Sequence, residues 1–173
     1  MTTTTISLAD LSGATADYLR TEVEVRIGDV TRNLGRGDDG TFTVRVKNAD
    51  APRGIRLTDV TVHLQVDSPA VILLSARVAT ILEARATGDR DDPRLPSDAQ
   101  VGEMFVFFPQ TSTGFEPNDV LEAGEEIEFE VGYHGESGGT TDITAHVHAS
   151  FSYADLFPRT NGTTVEKSVT IRP

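Results

Sequence analysis

Six consecutive residues, Glu126 to Val131, alternate without a break: Ile127, Phe129 and Val131 project to one side, Glu126, Glu128 and Glu130 to the other. A period of two marks a strand with one dry and one wet face, and no helix buries such a set on one side. The alternation recurs at Val23, Val25 and Ile27, then at Phe42, Val44 and Val46. It recurs again at Val60, Val62, Leu64 and Val66, which leaves Thr61, His63 and Gln65 on the wet side. The longest run sends Ile143, Ala145, Val147, Ala149, Phe151 and Tyr153 inward and Thr144, His146, His148, Ser150 and Ser152 outward; Val165, Val169 and Ile171 close the series. Turn chemistry separates these segments. Asp39-Gly40, Pro52 with Gly54, and Ala123-Gly124 mark reversals, and hairpins are expected at 134–139 and at Asn161-Gly162. Seven or eight strands spaced in this way predict an all-β, antiparallel two-sheet sandwich.

Two stretches depart from the pattern. Ser68 before Pro69 is N-cap and first-turn chemistry, and Val71, Leu74, Val78, Ile81, Leu82 and Arg85 fall at helical spacing, so one inserted helix is expected over 69–86. The alternative is a strand, Val71 to Leu74, plus an irregular crossover. Met104-Phe-Val-Phe-Phe108 is too apolar for a half-wet strand, which implies burial on both faces or cover by a partner. Between these two, the Pro- and Asp-rich 87–100 stretch reads as an exposed loop.

With 173 residues, one main domain is expected over 21–173, preceded by a Thr-rich arm over 1–20 that is weakly helical from Ser7 to Leu19. Such an arm is either disordered or docked on a neighbour. Acidic residues outnumber basic ones 27 to 15, a formal net charge of −12, so nucleic acid and anionic membrane are poor partners and cations or basic protein surfaces better ones. The same acid-rich, lysine-poor composition also arises from a salt-adapted or high-GC proteome. Without cysteine the chain has neither disulfides nor thiol chemistry. The start Met1-Thr-Thr-Thr-Thr-Ile6 lacks a basic and an apolar signal region, and no apolar run approaches a membrane span; synthesis and release in the cytoplasm is the expectation.

Phe42-Thr-Val-Arg-Val-Lys-Asn48, then Val60-Thr-Val-His-Leu64, then Leu121-Glu-Ala-Gly-Glu125 ahead of an alternating strand resembles the bacterial and archaeal immunoglobulin-like modules of the cell-adhesion-related, CARDB-like type. The resemblance covers roughly residues 21 to 153. It implies a seven-stranded sandwich in which the asparagine ends an early strand and the Leu-x-x-Gly-Glu turn precedes a later one. Such modules serve as spacers or adhesive units and bring no catalytic residues to carry over. The 68–118 segment is longer than they need.

Three constellations bear on chemistry. His146 and His148 share one face of one strand, about 6.5–7 Å apart by strand rise, a spacing that can share a metal; His63 is a third ligand if its strand is a neighbour. Against this stands the ordinary reading of solvated positions on a wet face. Asp38-Asp39 and the cluster Asp89, Asp91, Asp92 with Asp98 offer oxygens for a hard cation, but neither has the spaced pattern of a calcium loop, and solvated turns fit them better. Paired carboxylates at Glu126, Glu128 and Glu130 invite comparison with glycosidases, yet Trp is absent and no sugar platform accompanies them. Gly135-Glu-Ser-Gly-Gly139 and Gly35-Arg-Gly-Asp-Asp-Gly40 match the letters of a nucleophile elbow and of a Gly-rich phosphate loop, but both fall in expected turns between strands and open no helix, so neither reads as a site and no cofactor is implied.

The expected function is therefore a non-enzymatic structural or interaction module with protein partners, a homo-oligomer or a host lattice. It would assemble through its arm and sheet edges as a capsid decoration, a tail protein or another shell or filament subunit does in or beyond a virion. The alternative is a ligand- or metal-binding or adhesive domain of a surface protein.

Overall fold

The computed structural model describes residues 23–48, 56–77, 82–85, 95, 97–100, 102–108, 121–152 and 159–172. The 1–20 arm and the Asp89, Asp91, Asp92 cluster lie outside them. The described chain is all-β: β1 (Val23–Gly28), β2 (Leu34–Gly35), β3 (Asp39–Asn48), β4 (Arg56–Val66), β5 (Val71–Arg77), β6 (Leu82–Arg85), β7 (Met104–Phe108), β8 (Glu126–Gly135), β9 (Gly139–Ser152) and β10 (Arg159–Arg172). One sheet runs β1-β3-β8-β5 and the other β2-β10-β9-β4-β7-β6. All pairings are antiparallel except the short parallel clasp of β2 on the end of β10.

The alternating apolar sets meet between the sheets. Phe42, Val44 and Val46 of β3 and Phe129, Val131 and Tyr133 of β8 face Val60, Val62 and Leu64 of β4, Met104 and Val106 of β7, and Ile143, Ala145 and Val147 of β9. Tyr133 is fully buried; its ring tilts against Phe42 at 5.9 Å and its hydroxyl donates to the Thr31 carbonyl at 3.2 Å. Burial pushes this phenol above its ordinary pKa. Gly40 makes room for the ring, since a Cβ there would stand 2.9 Å from Tyr133 Cζ.

Five local expectations change. The 69–86 helix is absent: Val71–Arg77 is an edge strand of one sheet and Leu82–Arg85 an edge strand of the other. A register shift between Leu73 and Ser75 breaks the alternation there, so a period of two does not show in this strand. The 134–139 turn closes no hairpin, because β8 and β9 belong to different sheets. It carries the chain across the core, held by Glu136 N donating to Ala70 O at 2.8 Å. Asn161-Gly162 lies inside β10, where the register with β9 shifts between Asn161 and Thr164. Asp39-Gly40 already belongs to β3, the turn proper being at Arg36-Gly37, and the described strands number ten rather than seven or eight.

Asn48 ends β3 as the sequence motif requires, and the fold supplies the reason. Fully buried, it donates from Nδ2 to Leu121 O at 3.0 Å and from its backbone to Glu125 O, while Gly124 N donates to Asn48 O at 2.7 Å. The 121–125 turn is thereby latched to the end of an early strand. Gly124 sits at φ +84°, a left-handed conformation that glycine adopts without a Cβ penalty.

Candidate functional site

The two outer faces differ in kind. On the four-stranded sheet the outward rows are charged: Glu24, Lys47 and Glu126 lie side by side across β1, β3 and β8, followed by Arg26, Arg45 and Glu128. Arg45 Nε donates to the Glu128 carboxylate, and that bond together with the neighbouring acids raises the Arg45 pKa. Pairs at this exposure are screened by water and add little. The glutamate row is thus a solvated surface, ion-paired at Glu128.

On the six-stranded sheet, β4 lies between β9 and β7, so its outward residues meet both neighbours. His63 stands opposite His146 of β9 and Phe105 of β7; Thr61 stands opposite His148 and Phe107. The His63 ring stacks on Phe105 with centroids 4.4 Å apart and planes 4° from parallel, and on His146 at 5.4 Å and 29°. Phe105 points away from the core and is still only 5% exposed, because this ring row and the chain before it cover it. The excess apolar character of Met104–Phe108 comes from burial on both faces.

Residues 97–100 with Gly102 and Glu103 roof one end of the row. Glu103 Oε2 accepts from Gln100 N at 2.6 Å and Glu103 N donates to Gln100 O at 3.2 Å, so the glutamate braces the turn that carries it. Its other oxygen, Oε1, lies 3.0 Å from His63 Nε2. That separation suits an ion pair, but the approach is too oblique for a hydrogen bond, and this buried nitrogen has no hydrogen-bond partner. Beneath the roof is a cavity of about 450 Å³ lined by Thr61, His63, Phe105, Phe107 and His148 from the sheet and by Asp98, Ala99 and Glu103 from the roof. That volume falls in the ~300–1,000 Å³ range of small-ligand pockets.

The three imidazoles proposed as metal ligands therefore do share one face on neighbouring strands. Stacked rings turn faces rather than nitrogens towards one another, and among the described residues no group of three or more His, Asp or Glu is arranged to hold a metal ion. Asp38 and Asp39 are engaged locally: Asp38 Oδ2 accepts from Gly35 N at 3.1 Å, and Asp39 Oδ1 pairs with His134 Nδ1 at 2.6 Å. Sequence reasoning missed Glu103 and Phe105 as site residues; the unusual apolar density of 104–108 was their one signal.

Burial holds the His146 imidazole below its ordinary pKa of 6.5, and the neighbouring His63 adds to the effect, partly opposed by Glu103. The unfolded chain thus binds a proton more readily than the fold. The stability this histidine contributes is present above pH 6.5 and is lost as pH falls from there through its lowered folded value. His146→Gln is expected to show a smaller drop in Tm than wild type between about pH 7.5 and about pH 5.5. Parallel Tm–pH profiles for the two proteins would contradict this.

No family model matches the chain, and no curated protein matches it. Solved structures do. The type I cohesin of a Coh-OlpA-Doc918 cohesin–dockerin complex from Clostridium thermocellum superposes with a TM-score of 0.54 at 14% identity, over 87% of this chain and 99% of that one. The sixth cohesin of Acetivibrio cellulolyticus scaffoldin B, in complex with a Cel5 dockerin, gives 0.54 at 9% identity over 88% and 100%. AvmM, which catalyses macrocyclization in alchivemycin A biosynthesis, gives 0.50 at 14% identity over 88% and 89%. At such identities the likeness establishes the fold, an immunoglobulin-like β-sandwich, and the same fold hosts both binding and catalysis.

Proposed function

We propose that this immunoglobulin-like sandwich is a non-catalytic protein–protein interaction module that meets its partner with the outer face of β9, β4 and β7. One observation carries the reading: the imidazole and phenyl row over a cavity on that face, set against a charged, solvated opposite face. Aromatic rings at the centre of a patch with charge at its rim are the usual make-up of a protein interface. Two of the similar sandwiches, the cohesins described above, hold a dockerin as their protein partner, which supports the reading. So does the resemblance to CARDB-like adhesive modules, whose paired motifs correspond to the Asn48 latch.

Matched substitutions on the two faces test it. Thr61→Arg puts bulk over the cavity, and Thr43→Arg puts the same bulk beside Glu130 on the opposite sheet. In affinity capture from the producing cells, a prey held by wild type and by Thr43→Arg should be lost from Thr61→Arg. Loss from Thr43→Arg alone would move the interface to the other sheet, and a strictly monomeric protein with no prey would end the proposal. Self-assembly into a shell, filament or virion part is the homo-oligomeric form of the same reading, and light scattering across protein concentration separates it from a partner of another kind. Metal binding through His63, His146 and His148 is the competing proposal; a saturable heat on zinc titration would favour it.

A further inference from the structure

We propose that the cavity lined by Asp98 and Glu103 accepts the guanidinium of an arginine side chain presented by the partner protein. This rests on the interaction reading above and names the chemistry that the same face would recognise. The lining combines two carboxylates, Asp98 and Glu103, with the rings of His63, Phe105, Phe107 and His148, and none of the described lining residues is Lys or Arg.

Glu103 is the unusual member. Its side chain is only 9% exposed, so its charge acts where water screens it weakly, and one oxygen already braces the turn at Gln100. The other oxygen, Oε1, lies 3.0 Å from His63 Nε2, an atom closed off from solvent. The cavity therefore has a weakly screened negative charge to neutralise beside ring walls. An anion would be repelled by both acids. An ammonium ion answers the charge but is compact and strongly hydrated, with no flat surface to set against ring walls. The guanidinium is planar, weakly hydrated and carries five donors in a fixed fork, so it stacks on the aromatic walls while donating to the Glu103 and Asp98 carboxylates. Asp98 at the exposed rim and the net charge of −12 draw such a cation in.

The test uses N-acetyl-arginine amide as probe, titrated into the whole labelled protein while the ring resonances of His63, His148, Phe105 and Phe107 are followed. Saturable shifts confined to these rings are expected in the millimolar range. N-acetyl-citrulline amide, which keeps the shape and loses the charge, should bind at least about tenfold more weakly. N-acetyl-lysine amide should also bind more weakly than the arginine compound. Glu103→Gln should weaken arginine binding, and because its amide oxygen can still accept from Gln100, the turn is preserved. Asp98→Asn, at an exposed position, gives a second variant that leaves the fold untouched and should weaken binding less. Absence of saturation, equal binding of citrulline, tighter binding of lysine, or indifference to both substitutions would overturn the proposal. None of these results bears on the Thr61→Arg capture experiment, so the broader interaction reading stands or falls separately.

Discussion

Phe129→Ala lowers the unfolding free energy by about 3–5 kcal/mol, while Glu128→Gln, one residue away, leaves the urea midpoint close to that of wild type. Phe129 lies on β8, an inner strand of the four-stranded sheet, and is 1% exposed among the side chains between the sheets. Removing its ring forfeits the transfer free energy of the aromatic group and leaves a void that antiparallel strands held on both sides cannot close. Glu128 points the other way, into solvent, where its pairing with Arg45 is half exposed on each side and screened. Small domains are stable by only ~5–15 kcal/mol, so the core substitution removes a large part of the whole. Equilibrium urea unfolding of both variants checks the contrast. Comparable losses at the two positions would mean that β8 does not have one dry and one wet face.

Asn48→Ala is expected to cost about 1–3 kcal/mol, and Asn48→Asp more than Asn48→Ala. The amide donates to Leu121 O inside the protein, at the point where the Leu121–Leu57 bridge ties the 121–125 turn to β4. Alanine leaves polar backbone without this partner in a site too closed for water to replace it. Aspartate is worse, because its carboxylate would face a carbonyl oxygen with no donor and would be buried as a charge. Thermal unfolding at neutral pH gives the ranking. Acid should narrow the gap between the two variants as the aspartate takes up a proton and regains a donor. If Asn48→Asp proves as stable as wild type, the asparagine is not the latch.

Strand faces were legible wherever alternation ran unbroken. β1, β3, β4, β8 and β9 as far as Val147 put inward the residues that their period of two assigns, because one register slip would turn every apolar side chain to water; the assignments at Ala149, Phe151 and Tyr153 lie outside the described side chains. Asn48 and the Leu-x-x-Gly-Glu turn were legible as a pair of motifs, though their hydrogen bond was not. The failures share a cause. At Leu73 to Ser75 and at Asn161 to Thr164 an extra residue interrupts the ladder, and a bulge is written in backbone pairing rather than in side-chain pattern. The 134–139 segment carried the signals of a hairpin turn, but whether a turn joins neighbours in one sheet or crosses between sheets depends on which strands pair. Of the site, His63, His146 and His148 could be picked out as outward polar residues. Glu103 could not, because a lone glutamate before an apolar strand gives no sign that it will be roofed in beside an imidazole.

The order of residues alone determined that this chain forms strands, which side of each is dry, and that its surface is acidic, since these follow from local periodicity and from charge that no folding alters. Only the tertiary structure decided that β4 would lie between β9 and β7. Pairing between strands far apart in the chain is set by how two whole sheets close over a shared core, and that pairing alone stacks His63 between His146 and Phe105 and opens a cavity beside Glu103.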